Sequence, residues 1–328
     1  MAETIFIMYT DMTGTVPSRA TIEAAHALVK PYIHHTPVFT SLFLNDISGA
    51  ELYFKCENLQ KIGAFKARGG LNAVLSLSAE QLADGVITHS SGNHAQAIAF
   101  SAQKVGAKCY IVMPDNSPKV KIAAVKGYGA TITFCKNTPE DRQRTVDEIV
   151  AETGATFIHP FNNYEVIAGQ ATAAKELMED VAITLDALVV PVGGGGLLSG
   201  TALSAKYFSP GTKVYAGEPE GAADAVLSFR SDKIEKAPYV NTIADGLLTH
   251  LGDKTFPIIK SEVTDIFTVS DEEIIQAMRY LWERMKIVVE PSGAVSTAAV
   301  LKHKAVFEGK KIGIIISGGN VDLGRLPF

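Results

Sequence analysis

The chain has 328 residues, 47% of them hydrophobic and 20% charged, the balance of a soluble α/β protein with core enough to fold without staples. A net charge of −5 and a pI of about 5.9 argue against nucleic acid or an anionic membrane surface as partner. Cys56, Cys109 and Cys135 are too few for a disulfide framework and lack C-x-x-C spacing, so they read as small buried hydrophobes. Met1–Thr4 opens no basic, apolar signal region, and no apolar run approaches the roughly 20 residues of a membrane span, so the cytoplasm is the expected location.

In chain order, the stretch before Ala73 reads as helices and short strands. Val86–His89 is a β-branched strand, and after the turn Ser90–Asn93 the residues Ala95, Ile98, Ala99, Ala102 and Val105 recur at helical spacing up to a stop at Gly106. Lys108–Met113 reads as strand, Pro118–Lys126 as helix and Thr131–Cys135 as strand. Glu140–Glu152 is a helix with Val146, Ile149 and Val150 on one face. This alternation predicts a compact unit with a parallel sheet. A second alternating stretch begins near Ile167. It runs through a strand at Ala187–Val192, a helix at Leu197–Tyr207, a strand at Lys213–Gly217, helices at Glu272–Met285 and Val295–Lys304, and a last strand at Lys311–Ile316.

Chemistry concentrates in a lysine and three loops. Lys66 lies in the short apolar turn Gly63-Ala64-Phe65-Lys66, where desolvation lowers an amine's pKa. The loops are Ser90-Ser91-Gly92-Asn93-His94, the tetraglycine Gly193, Gly194, Gly195 and Gly196, and Ser317-Gly318-Gly319-Asn320. An amine forms a Schiff base with an aldehyde, and free backbone amides at a helix start bind phosphate, so the combination suggests pyridoxal phosphate. The tetraglycine follows a buried strand, lets backbone approach a phosphate closely and sits at a helix N-terminus. A tight strand-to-helix turn also collects glycine, but the spaced G-x-G-x-x-G of a dinucleotide site is not cleanly met. Glu218 to Asp224 is an acidic turn, open to reading as plain surface or as an all-oxygen site for a hard cation.

Glu57-Asn58-Leu59-Gln60, Gly63-Ala64-Phe65-Lys66, Ser90 to His94, Val166 to Gln170, the tetraglycine and Ser317 to Asp322 occur in order. Together they resemble the serine racemase and serine/threonine dehydratase family of fold-type II pyridoxal-phosphate enzymes, from about Ile22 to Leu323. Ala64 departs from the pattern, since many relatives carry serine there. The resemblance implies a tryptophan synthase β-like α/β fold of two open parallel-sheet domains. The larger, 1–80 and 156–328, would be discontinuous and the smaller, 81–155, inserted in it. Only Val321–Phe328 follow Asn320, which leaves no room for a C-terminal effector domain.

The resemblance makes Lys66 the Schiff-base lysine and α-proton base, with Phe65 beside it. Asn93 is placed on the cofactor's phenolic oxygen, the tetraglycine on its phosphate and Ser317 on its ring nitrogen. Ser91 becomes the proton donor on the opposite face that racemisation needs, where dehydratases restricted to L-substrates often carry alanine. Ser90, His94, Arg142 and Thr249 are implied for substrate, although a solvated helix face suits Arg142 equally well and His94 fits a helix start. Glu218, the Ala222 carbonyl and Asp224 are implied ligands for Mg²⁺, Ca²⁺ or Mn²⁺. The expected activity is serine racemisation with dehydration to pyruvate and ammonia. L-threonine dehydratase and 3-hydroxyaspartate ammonia-lyase are close alternatives; β-replacement and a silent nucleotide-binding module are distant ones. A small hydroxy-amino-acid substrate, a homodimer and a possible nucleotide effector belong to the same implication.

Overall fold

The computed structural model describes residues 14–328 apart from 91 and 118. In chain order its strands are β1 (Val38–Phe39), β2 (Glu51–Cys56), β3 (Val86–His89), β4 (Cys109–Pro114), β5 (Thr131–Cys135), β6 (Thr156–Phe157), β7 (Ala187–Pro191), β8 (Lys213–Pro219), β9 (Asp265–Val269) and β10 (Lys311–Ile316). They form a six-stranded sheet in the order β1-β2-β10-β7-β8-β9 and a four-stranded sheet in the order β5-β4-β3-β6. Every pairing is parallel except β1 with β2. All four strands of the smaller sheet fall between β2 and β7 in the chain, so the protein is an α/β fold with one parallel-sheet unit inserted in another.

Parallel strands covered on both faces read as continuous apolar runs, and β7 and β10 do so because alternate residues serve opposite cores. Val189, Ile312, Ile314 and Ile316 pack with the helices Asp271–Met285 and Pro291–Lys302. Leu188, Val190 and Ile315 point the other way, against the helices Tyr164–Asp180 and Gly196–Phe208. The smaller sheet buries Val86, Ile111 and Met113 against the helix Asn93–Val105 on one face, and Ile87 and Val112 against Val146 on the other. No helix among the described residues is long and apolar enough to cross a membrane.

Several elements depart from the sequence expectation. β6 pairs with β3, so the smaller sheet has four strands and reaches past residue 155. The helix expected over Val295–Lys304 ends at Lys302; His303 leaves helical geometry (φ −103°, ψ 32°) and a short turn of helix restarts at Lys304. β9, an edge strand in which only Ile266 and Val269 are buried, was not anticipated from the sequence.

One buried ionic cluster ties the first hundred residues to the rest. Arg68 is fully buried and forks onto both oxygens of Glu57 at 2.7 and 2.8 Å. It also reaches both oxygens of Glu176 at 2.9 and 2.7 Å, and the Thr172 hydroxyl at 3.1 Å. Lys55, equally buried, bonds Glu176 at 3.0 Å and Asp180 at 2.9 Å. Burial alone would raise the Glu176 carboxyl; bonds from His26 and Arg68, with the charges of Arg68 and Lys55, outweigh it and hold the group far below the usual carboxylate range. Removing one partner from such a cluster leaves uncompensated charge in a low-dielectric interior. Arg68→Ala is therefore expected to lower stability by about 3–5 kcal/mol in urea unfolding; a loss below about 1 kcal/mol, the range of a surface ion pair, would contradict that account.

Candidate active site

Strands β2, β10 and β7 lie side by side and parallel, with Ile316 opposite Cys56 and Ile314 opposite Val189. Their carboxyl ends therefore open on one edge, the place where open α/β sheets bind ligands. The chain leaves β2 toward Lys66, leaves β10 through Ser317 and leaves β7 into the tetraglycine.

The lysine turn is held by the Ser317 loop. Ile62 and Gly63 both take left-handed backbone, at φ 58° and 70°, a conformation that costs a β-branched residue of order 1–3 kcal/mol. The loop after β10 sustains it. The Asn320 side-chain amide donates to the Ile62 carbonyl at 2.7 Å and the Gly319 amide to the Gly63 carbonyl at 2.9 Å. Ala64 bridges Gly318, and the Phe65 amide donates to the Ser317 carbonyl at 3.0 Å. Lys66 then begins the helix Lys66–Leu75, its Nζ donating to the Pro160 carbonyl at 2.8 Å and lying 5.2 Å from the centre of the Phe65 ring. Burial pulls the amine down to about 8.

The tetraglycine starts the helix Gly196–Phe208, with Gly195 left-handed at φ 89°. Among the described residues, no protein acceptor takes the amides of Gly193 to Gly196. Side chains are excluded here: a Cβ on Gly194 would sit 2.3 Å from the Phe161 ring, and one on Gly193 would sit 2.9 Å from the Leu247 backbone. Free amides in an open turn at a helix N-terminus fit a phosphate group.

Ser317 is buried at the end of β10, and Ser90 is half-buried at the end of β3 with its hydroxyl accepting from the Gly92 amide at 3.2 Å. Asn93 donates to Glu290 at 2.8 Å and accepts from Asn320 at 2.8 Å. His94 is buried, with Nε2 3.2 Å from the Ile158 carbonyl and Nδ1 unpartnered. Burial first, then the Lys66 charge, pushes it well below its ordinary value, so it is neutral. Arg142 is not a purely solvated side chain: its Nε is buried without a partner, and its charge adds to the burial that lowers His89. Thr249 is exposed. The fold thus links Phe65, Lys66, Asn93 and Ser317 through the Asn320 loop, whereas no bond among the described residues joins Arg142 or Thr249 to them. Ser91 lies outside the described residues.

The acidic turn follows β8. Glu218 is fully buried, accepting from the amides of Ala225 at 2.6 Å and Val226 at 2.9 Å, and Ala222, itself buried, closes the 3-10 turn Glu220–Ala222. Burial, with the Asp224 charge added, lifts Glu218 to about 8, and burial lifts Asp224 to about 6. Asp224 Oδ2 is buried without a partner. Two desolvated carboxylates and an orphaned oxygen fit a hard cation, and they make the plain-surface alternative untenable.

Sequence patterns missed Glu290, the Pro160 carbonyl and the rings His89, Phe157, His159 and Phe161. Those rings run in contact, with centres 5.4 Å (His89–Phe157), 5.9 Å (Phe157–His159) and 4.6 Å (His159–Phe161) apart, from the end of β3 to the tetraglycine. The available signal was an acid directly before Pro291 at a helix start, and the triplet His159-Pro160-Phe161 after an apolar run.

Residues 29–318 match the model of the family described as pyridoxal-phosphate dependent enzyme. The chain is 52% identical to a serine racemase of Dictyostelium discoideum, covering 93% of this chain and 95% of that one. It is 51% identical to an L-threo-3-hydroxyaspartate ammonia-lyase of Saccharomyces cerevisiae, covering 94% and 95%. The structure of maize serine racemase superposes with a TM-score of 0.92 at 44% identity, over 94% of this chain and 95% of that one. The chain belongs to the fold-type II pyridoxal-phosphate dependent enzymes.

Only the neutral amine attacks an aldehyde, so capture of the cofactor by apoprotein should rise with pH through a midpoint near about 8, the value burial imposes on Lys66. A midpoint near 10.5, the ordinary lysine value, would show that Lys66 is not desolvated.

Proposed function

We propose that this chain is a serine racemase that also eliminates water from serine, giving pyruvate and ammonia. One observation carries it: Lys66, a desolvated amine, is braced by the Ser317 loop on the strand edge that also presents the free tetraglycine amides. Identity near 50% to serine racemases over most of the chain points the same way. When bound, pyridoxal phosphate supplies the electron sink that stabilises negative charge at the substrate α-carbon.

The chain's own residues hold and move the rest. The amides of Gly193 to Gly196 take the phosphate, and Asn93 donates to the phenolic oxygen. The Ser317 hydroxyl meets the ring nitrogen without a carboxylate's charge, which favours racemisation and elimination over transamination. Lys66 takes and returns the α-proton on one side, and Ser91 does so on the other. Arg142 and Thr249 receive the substrate carboxylate and Ser90 lines the substrate site; His94, neutral and buried, contributes shape rather than charge. Glu218, Asp224 and the Ala222 carbonyl bind a divalent cation that braces the acidic turn. The proposal divides the domains near residue 80 and after Phe157, since β6 belongs to the smaller sheet. It extends on the resemblance to a homodimer, a nucleotide effector and the cytoplasm, where free buried thiols are at home.

A second reading, 3-hydroxyaspartate ammonia-lyase, is favoured by relatives of that name at 51% and 46% identity. Both share the first proton transfer, so a substrate panel separates them: L-serine, D-serine, L-threonine and 3-hydroxyaspartate, scored for keto acid and for the opposite enantiomer.

Two expected outcomes follow. Ser91→Ala should slow interconversion of serine enantiomers and elimination from D-serine by about 10²–10⁴, while pyruvate release from L-serine falls much less. Chiral chromatography beside a keto-acid assay decides, and undiminished racemisation would remove Ser91 from its role. Glu218→Ala or Asp224→Ala should weaken binding of a divalent cation, and chelation should lower the wild-type melting temperature, because ligand held only by the folded state stabilises it. An unchanged melting temperature after chelation would end the metal assignment.

A further inference from the structure

Glu290 is the acid at the N-cap of the helix Pro291–Lys302, 3% exposed, set between the Asn93 amide and the loop after β10. Its backbone amide donates to the Gly318 carbonyl at 3.0 Å, and its Oε1 lies over Gly318, 2.3 Å from where a Cβ there would stand, so the position needs glycine. The N-cap side chain does not cap its own helix. It is spent instead on Asn93, at 2.8 Å.

The bonding around Asn93 has only one consistent direction. The Ile62 carbonyl can only accept, so the Asn320 side-chain atom 2.7 Å from it is nitrogen. That same nitrogen lies 2.8 Å from Asn93, which must therefore present oxygen to it. The Asn93 nitrogen is left facing the Glu290 carboxyl, an acceptor when ionised. One of its two hydrogens is used there and the other is free. Burial, with the nearby Asp245 charge, lifts the Glu290 carboxyl to about 7, opposed by Lys121, by the bond from Asn93 and by the Asn320 backbone amide. A carboxyl this desolvated has strong need of the donor it holds.

We infer that Glu290 is a positioning residue: through its hydrogen bond it fixes the Asn93 amide so that the second N–H faces the bound cofactor's phenolic oxygen. It rests on the proposed Asn93 contact, and it adds a residue to which no role has been given. Glu290 itself need not touch the cofactor. Its effect passes through the orientation of one amide.

The test is a double-mutant cycle on cofactor affinity, measured by titrating apoprotein with pyridoxal phosphate and following its absorbance, with melting temperature recorded for each protein. Asn93→Ala and Glu290→Ala should each weaken binding about tenfold or more, the scale of a lost bond to a charged group. The double variant should be no weaker than the worse single, because both remove the same contact. Glu290→Gln retains an acceptor oxygen at nearly the same volume and should bind within about threefold of wild type, which separates positioning from folding. Multiplying losses in the double variant, or full affinity in Glu290→Ala, would overturn the inference while leaving the Asn93 contact intact. Full affinity in Asn93→Ala would overturn that contact and the inference with it.

Discussion

The insertion of β10 between β2 and β7 is the constraint on which the site depends. It brings the last strand of the chain beside the second, with register set by Lys311 opposite Glu51 and Ile312 opposite Ala187. Shifting a parallel pair by one residue would exchange the two cores, moving Ile315 to the side that now holds Ile314 and Ile316. Two separately buried faces thus lock the register, and the register delivers three loops to one edge.

From that edge the chemistry follows by local geometry. Phe65 and Ser317 are joined by a main-chain bond, so the lysine and the serine are placed relative to each other by backbone rather than by side-chain packing. The strained Ile62 is tolerated because Asn320 satisfies its carbonyl. Behind the lysine helix, the Arg68 cluster fastens the same segment to Glu57 and Glu176. Strain at the front and charge at the back act on one helix of ten residues, Lys66–Leu75. Lys66 is rigidly held and poorly solvated, the two conditions for an amine that reacts near neutral pH.

The two sheet units meet through apolar packing, with Leu71 against Phe100 and Ala73 and Val74 clustered with Ile98 and Ala99, and through polar groups beside the site. Asn93 begins a helix of the smaller unit, and both its side-chain bonds go to the larger one, to Glu290 and Asn320. Lys121, on a helix of the smaller unit, pairs with Asp245 of the larger.

Much of this was legible in the residues alone. Buried parallel strands announce themselves as apolar runs, so β3, β4, β7, β8 and β10 were readable, and the edge strand β5 was readable from its β-branched residues. Lys66 and the tetraglycine together suggest an amine beside a phosphate cradle by residue type, whereas the role of Ser317 came only with the family resemblance. What stayed hidden was long-range. Neither periodicity nor composition states that β10 lies beside β2, because the pairing joins residues some 260 apart through contacts no local pattern records. Glu290 looked like an ordinary acid before proline. Only its burial, and the single bonding direction open to Asn320 and Asn93, separates it from the surface carboxylates it resembles. Glu218 and Asp224 were likewise ambiguous until folding removed their water and left Oδ2 unpartnered. The sequence by itself determined which groups are present and the strand and helix that carry each. The tertiary structure decided which groups lose solvent and which face one another, because desolvation and hydrogen-bond direction are properties of neighbours that the chain brings from far apart.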